Sequence, residues 1–157
     1  MNKSKILVVQ SIGEFSGSLK SLEQYVGLMR DNFEFIFLTP RGMAHKRLKT
    51  YGKVEEVIGL SKFDNSQIGS YRGFRYLLLI REILLIIPTL LAIYKIKKKY
   101  KLIKLIHFNE ITLLPTLFFF RLYYKIPFIL HCRILFNNKN FFSKFINRFI
   151  KKNVSKI

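Results

Sequence analysis

One segment, residues 101–133, constrains the fold of this chain more than any other: KLIKLIHFNEITLLPTLFFFRLYYKIPFILHCR. Its first apolar run, residues 102–108, loses polar alternation toward its end, which is typical of a strand covered on both faces. Pro115 suits the first turn of a following apolar helix, and Pro127 ends that helix. A second apolar run follows at residues 128–130. The segment therefore predicts a strand–helix–strand unit with parallel strands.

Polar side chains cluster where each of these two strands ends. His107, Asn109 and Glu110 stand at the end of the first strand, and His131 and Arg133 stand at the end of the second. Because parallel strands bring their carboxyl ends to one edge of a sheet, where open α/β sheets bind ligands, we expect these side chains to share a cleft. Other roles stay open. Either histidine alone also suits a backbone hydrogen bond, and Glu110 suits a charge in the first helical turn. Arg133 suits a surface charge or, at a sheet edge, a phosphate clamp.

The composition bounds the size and the setting of the domain. A length of 157 residues suits one domain with a sizeable core, and 50% hydrophobic residues exclude a disordered chain. The single cysteine, Cys132, cannot form an internal disulfide, which favours a reducing cytoplasmic setting and excludes a cysteine-based zinc site. A formal net charge of +19 predicts attraction to an anionic surface or ligand, although a general bias toward lysine explains part of it.

A glycine-bearing loop, SIGEFSGS, follows the first predicted strand at residues 5–10. Gly13 and Gly17 permit tight backbone geometry, and Ser16 or Ser18 can cap the helix that follows. Such a loop before a helix amino terminus can bind an anion. It contains no Walker A motif and its spacing does not match GxGxxG, so taken alone it fits a plain strand-to-helix turn better than a phosphate site.

Two more strands and two amphipathic helices complete the predicted organisation. The strands are residues 33–39 and 53–60. The longest helical pattern, residues 74–100, has a broad apolar face and a basic end, and Pro88 should kink it or divide it in two. Residues 141–152 predict a shorter helix with one apolar stripe. We expect an α/β fold with a mostly parallel sheet, in which residues 6–9, 35–38, 104–107 and 128–130 are strands and helices cover both faces.

The order of these segments resembles the amino-terminal lobe of family-4-like glycosyltransferases, which have two Rossmann-like lobes in the GT-B architecture. The resemblance covers nearly the whole chain, residues 1–157, from KILVVQ through FEFIFLTP and LIKLIHFNE to KIPFILHCR. Its closest local matches are Gly17-Ser18 in the first loop, the run from His107 to Glu110, and Ile126-Pro127 leading into His131. It implies a Rossmann-like, acceptor-side domain.

In such enzymes the first lobe binds the acceptor, the second holds a sugar nucleotide, and the sugar is transferred with retention, usually without a metal. The resemblance therefore implies a hexosyltransferase-type reaction on a polysaccharide or lipid-linked acceptor, with the nucleotide sugar as co-substrate and no other cofactor. It places His131 near the transferred sugar, as the catalytic residue, and turns the first loop toward a phosphate of the acceptor or donor. The substrate-binding residues that it implies are Gly13, Gly17, Ser18, His107, Asn109, Glu110 and Arg133.

Two departures from the family pattern shape the expected activity. Ile134 follows Arg133 where many relatives have an Arg-Glu pair. The donor-binding lobe, with its paired glutamates and basic phosphate ligands, is absent, so we expect a truncated product or half of a split enzyme that needs the missing lobe or a partner chain. The alternative is a non-enzymatic basic module that binds membrane or nucleic acid. The aromatic residues lie mostly in periodic, buried-looking segments without an RNA or DNA motif, which makes nucleic acid the weaker choice.

We also expect peripheral attachment to the cytoplasmic face of the cell membrane, where lipid-linked acceptors would lie. Arg81 and Glu82 interrupt the apolar run within residues 74–100, which leaves less than the roughly 20 residues needed to cross a bilayer. The basic amphipathic surfaces of that segment and of residues 141–152 suit an anionic leaflet instead. The competing interpretation buries both apolar faces, one against the sheet and one against the second lobe. The shorter helix carries the basic residues Lys144, Arg148, Lys151 and Lys152 and the apolar stripe Phe142, Phe145, Ile146, Phe149 and Ile150.

Overall fold

A computed structural model describes residues 3–63, 73–132 and 141–155 of the chain. Strands and helices alternate along it, as the sequence predicts. The strands are β1 (Ser4–Val9), β2 (Phe33–Pro40), β3 (Lys53–Val57), β4 (Ile103–Phe108) and β5 (Phe128–Leu130). The α-helices are α1 (Gly17–Met29), α2 (Met43–Leu48), α3 (Tyr76–Leu84), α4 (Ile86–Lys99), α5 (Leu114–Tyr123) and α6 (Phe141–Asn153), with 3-10 turns at Gly73–Arg75 and Ile111–Leu113.

The strands form one five-stranded sheet in the order β3-β2-β1-β4-β5, and every pairing is parallel. This confirms the α/β class and the Rossmann-like parallel sheet, and each of the strands expected at residues 6–9, 35–38, 104–107 and 128–130 lies within an observed strand. The chain proceeds outward from β1 to β2 and β3, then returns to the other side of β1 to form β4. The strand order therefore reverses between β1 and β4, and ligands of open α/β sheets bind at such a point.

Helices cover both faces of the sheet, and the alternation of side chains along β1 explains the two cores. Ile6 and Val8 point to a core shared with α1 and α2. Leu7 and Val9 point to the opposite core, which α4, α5 and α6 complete. Successive residues of a strand face opposite sides of the sheet. A strand that is covered on both faces therefore has apolar residues at consecutive positions.

The long predicted helix is divided in two, as expected from Pro88. The break lies at Leu85, between α3 and α4. Proline lacks the N–H that would bond the carbonyl of Leu84, four residues earlier, and its ring crowds that carbonyl. The effect of the proline therefore appears three residues before the proline itself.

Polar contacts attach this helix pair to the segment that follows β3. The Ser61 amide donates to Thr89 Oγ1 at 2.9 Å, and that hydroxyl donates to the Leu85 carbonyl at 2.7 Å. The Lys62 amide donates to Glu82 Oε2 at 3.0 Å. Glu82 and Thr89 are both buried, so these bonds fix one side of the pair against the domain.

Tyr76–Lys99 is the one segment, among the residues described, that is long and apolar enough by length and composition to cross a membrane. Its mean hydropathy is 2.2 over the most apolar window, of which 22% is buried. The charged pair that we expected to interrupt it is largely neutralised, because Arg81 donates to Glu82 at 2.5 Å. The apolar stripe of α6 differs, since Ile146 and Ile150 are buried in the core against the sheet.

Candidate functional site

A cluster of polar side chains, the polar cluster, lies at the carboxyl edge of the sheet, where β1 and β4 end. Asn109, the first residue after β4, is fully buried there. Its backbone amide donates to the Val9 carbonyl at 3.1 Å, and its side-chain Nδ2 donates to Gln10 Oε1 at 2.6 Å and to the Ser18 carbonyl at 3.3 Å. One side chain thus joins the ends of both central strands to the first turn of α1.

Two hydroxyl groups hold the carboxylate of Glu110 beside the polar cluster. Ser11, just after β1, donates a short hydrogen bond to Oε2 of Glu110, and Thr112 donates to the same oxygen at 3.3 Å. Glu110 precedes the 3-10 turn before α5, so these bonds also fix the start of that turn. The half-buried carboxylate thus links the residues after β1 to those after β4.

The two histidines predicted from the strand ends lie next to each other. The ring centroids of His107 and His131 are 6.0 Å apart with an angle of 27° between the rings. Parallel pairing brings them together, because the His131 amide donates to the Phe108 carbonyl at 2.8 Å. The ring of Tyr25 on α1 meets His107 edge-on at 5.7 Å. His107 is buried and His131 is exposed, so the pair runs from the interior to the surface.

A cavity of about 270 Å³ opens at this histidine pair. Helix α1 forms one wall and the ends of β4 and β5 form the other. Its lining combines imidazole, amide and hydroxyl groups with apolar side chains. The lining residues are Ser21, Leu22, Tyr25, His107, Asn109, Ile129, Leu130 and His131.

Apart from the two glycines, the site residues predicted from the sequence divide into three groups. His107, Asn109 and His131 line the cavity itself. Ser18 and Glu110 belong to the polar cluster and do not line the cavity. Arg133 lies outside the described residues.

The two glycines of the first loop occupy different environments. A Cβ atom on Gly13 would lie 2.2 Å from the Arg41 carbonyl oxygen, and the Gly13 carbonyl accepts from the Ala44 amide at 2.7 Å. Gly13 therefore allows the loop after β1 to pack against the loop after β2. Gly17 begins α1 and has open space around it. Of the two serines considered as caps, Ser16 accepts the hydrogen bond from the Leu19 amide.

Sequence reasoning missed Gln10, Ser11, Ser21 and Tyr25. Gln10 and Ser11 directly follow β1, so the rule that placed the β4 residues at the site would have found them too. Ser21 and Tyr25 are four residues apart on α1, and a helix brings residues at that spacing to one face. Gln10 is fully buried, and its Nε2 has no hydrogen-bond partner within the described part of the chain.

Burial raises the pKa of two groups, one in the cavity wall and one next to His131 in the chain. It raises the pKa of the Tyr25 hydroxyl, which strengthens its preference for the protonated form, so the group can donate a hydrogen bond at neutral pH. It also raises the pKa of the Cys132 thiol, which is half-buried and follows His131. In residues 3–63, 73–132 and 141–155, no three His, Cys, Asp or Glu side chains come together as a metal site would require.

A second cavity, of about 360 Å³, has a different character. It lies between the starts of α4 and α5 and the side of α6, and Ile86, Pro115, Phe118 and Phe149 are among its lining residues. None of the described residues that line it has an ionisable side chain. Catalytic sites need groups that donate, accept or carry charge, so the histidine-lined cavity is the candidate site.

Fold and site together define the class: a Rossmann-like α/β domain with a buried polar cluster and a histidine-lined cavity at the carboxyl edge of its sheet. In comparisons with known proteins, the chain matches no family model, no curated protein and no solved structure.

Proposed function

We propose that this domain is the acceptor-binding lobe of a retaining glycosyltransferase, which transfers sugar from a nucleotide sugar to a polysaccharide or lipid-linked acceptor. The observation that carries the proposal is the side-by-side placement of His107 and His131 in a cavity at the carboxyl edge of the sheet. The Rossmann-like sheet supports it, because that architecture places ligands at the edge where the histidines stand.

The lining of the cavity suits a polyhydroxylated ring. A neutral imidazole carries one donor and one acceptor nitrogen, and the Asn109 amide and the Ser21 hydroxyl supply both kinds of group. Sugar hydroxyls also donate and accept. The Tyr25 ring and Ile129 supply apolar surface for the C–H face of a sugar. At about 270 Å³ the cavity lies just below the range of drug-sized pockets, which suits a single ring better than an extended ligand.

Within this proposal, His131 contacts the transferred sugar from the exposed rim and His107 orients the acceptor from the buried end. Asn109 keeps β1, β4 and α1 in register around them. The nucleotide would be bound mainly by a second lobe or a partner chain. The domain alone is then expected to bind acceptor without turnover.

Binding to an immobilised glycan array tests the proposal, with His131→Ala and His107→Gln as site variants and His45→Ala as the matched control. His45 lies on α2, and its Nδ1 is 3.5 Å from a Glu56 oxygen. We expect the site variants to weaken binding about tenfold or more, the cost of one or two lost hydrogen bonds, and the control to bind like wild type.

Two outcomes would contradict the proposal. One is the absence of binding to every glycan on the array by folded wild-type protein. The other is an equal loss in the His45→Ala variant, which would place the interaction elsewhere on the surface. Duplex DNA and RNA spotted on the same array test the nucleic-acid alternative directly.

A further inference from the structure

The outer face of α3 and α4 is an exposed apolar stripe. Six large side chains, each more than half exposed, follow one another at intervals of three and four residues. The Leu85 amide donates to the Arg81 carbonyl and the Thr89 amide donates to the Leu85 carbonyl, so the helical path continues across the break and these intervals keep the six side chains on one face. Single exposed apolar residues are normal on a protein surface, but a continuous row along two helices marks an interaction site. We call this surface the outer stripe. It consists of Leu77, Ile80, Leu84, Ile87, Leu91 and Tyr94.

The opposite face of the same helices is fixed to the domain. Glu82 and Thr89 accept the backbone amides of Lys62 and Ser61, and Ile93 and Ile96 are buried in the core beneath the sheet. A helix crossing a bilayer would have to give up these hydrogen bonds and expose core side chains. The helix pair can therefore contact a partner through its outer stripe, with the helix axes parallel to the surface of that partner.

The charge pattern of the pair identifies the chemistry of that partner. Lys95 and Lys98 follow Leu91 by four and seven residues, so they continue the outer stripe, and both are exposed. Glu82 is the only acidic residue in either helix, and it is buried on the opposite face. An apolar row that ends in lysines without an exposed acid is the pattern of a helix lying on an anionic bilayer.

Self-association fits the same surface poorly. Two copies joined along the outer stripe would bring together chains that each carry a formal net charge of +19. Like charges in contact oppose association, whereas anionic headgroups are attracted by the same lysines. Tyr94, near the basic end of α4, also suits the headgroup region, where tyrosine is enriched.

We propose that α3 and α4 dock lengthwise on an anionic lipid bilayer, with the outer stripe in the headgroup boundary and Lys95 and Lys98 on the headgroups. Helix α6 contributes electrostatically at most, because Ile146 and Ile150 are buried. The inference is independent of the sugar site, because it rests on an exposed surface rather than on the cavity.

Co-sedimentation with vesicles of phosphatidylcholine alone or mixed with phosphatidylglycerol tests this docking. The stripe variant is Ile80→Glu, Leu84→Glu and Ile87→Glu. The matched control is Leu28→Glu, Ile58→Glu and Leu102→Glu, which changes three apolar residues outside the stripe that are at least as exposed and alters the net charge by the same amount. We expect wild type and control to bind mixed vesicles, and the stripe variant to bind about tenfold or more weakly.

Further measurements complete the test. Binding should weaken as salt rises, because screening shortens the reach of the lysines. Membrane-bound wild type should be released by alkaline carbonate. Equal binding by the stripe variant and wild type would overturn the proposal, as would equal losses in both variants. Resistance to carbonate would overturn the proposal in favour of a spanning helix. A wild-type protein that is dimeric and does not bind vesicles, with a stripe variant that is monomeric, would show that a second copy covers the stripe.

Discussion

At the scale of single residues, two glycines between β1 and α1 differ in the space that they leave for a side chain. Gly13 lies against the Arg41 carbonyl with no room for a side chain, whereas Gly17 lies in the first turn of α1 with open space around it. Sequence reasoning could treat both only as permissive positions. The difference depends on the packing of two loops that are distant along the chain, and no local pattern records it.

This difference predicts unlike effects of the same substitution. Gly13→Ala should lower the free energy of unfolding by about 2 kcal/mol or more, because a Cβ 2.2 Å from a carbonyl oxygen forces the two loops apart. Gly17→Ala should be neutral or raise it by up to about 1 kcal/mol, because alanine favours the helix. Urea denaturation of both variants measures the contrast. Equal effects would mean that the loops do not pack as described.

At the scale of elements, the helix pair shows how a polar side chain can anchor an apolar helix. The buried Thr89 hydroxyl accepts a hydrogen bond from the Ser61 amide and donates one to the Leu85 carbonyl. Thr89→Val keeps the shape of the side chain but leaves that amide without an acceptor. We expect a loss of about 1–3 kcal/mol in the free energy of unfolding.

The control for this substitution is Thr50→Val, at an exposed position after α2. Exposed substitutions change stability by about 0.5 kcal/mol or less, so chemical denaturation should separate the two variants clearly. If Thr89→Val were as stable as the control, α3 and α4 would not be held against the segment after β3, and docking along the outer stripe would lose its physical basis.

The elements themselves were largely predictable, and the exceptions have physical reasons. Apolar runs fix β1, β2, β4 and β5 because a strand covered on both faces has little choice of residues. The edge strand β3 ends at Val57 rather than at residue 60, because the following residues turn toward α4 instead of pairing. The contact between Tyr25 and His107 could not be predicted from the sequence, because it depends on how α1 packs on the sheet.

At the scale of the whole molecule, the strand order determines where chemistry can occur. The strand order reverses between β1 and β4, where Asn109 links the two strand ends and also lines the histidine-lined cavity. The outer stripe lies on α3 and α4, and α4 packs on the other face of the sheet through its buried residues. The domain thus has a ligand site and an exposed docking surface formed by different elements.

The central claim is that the cavity at His107 and His131 binds sugar, and the three histidines of the chain allow a direct measurement. Imidazole proton signals can be followed by NMR while nucleotide sugars and glycans are added, with assignment by single-histidine variants. The account predicts saturable shifts of the His107 and His131 signals together, while the His45 signal on α2 stays unchanged. Shifts confined to His45, or no shift of either cavity histidine with any sugar, would contradict it.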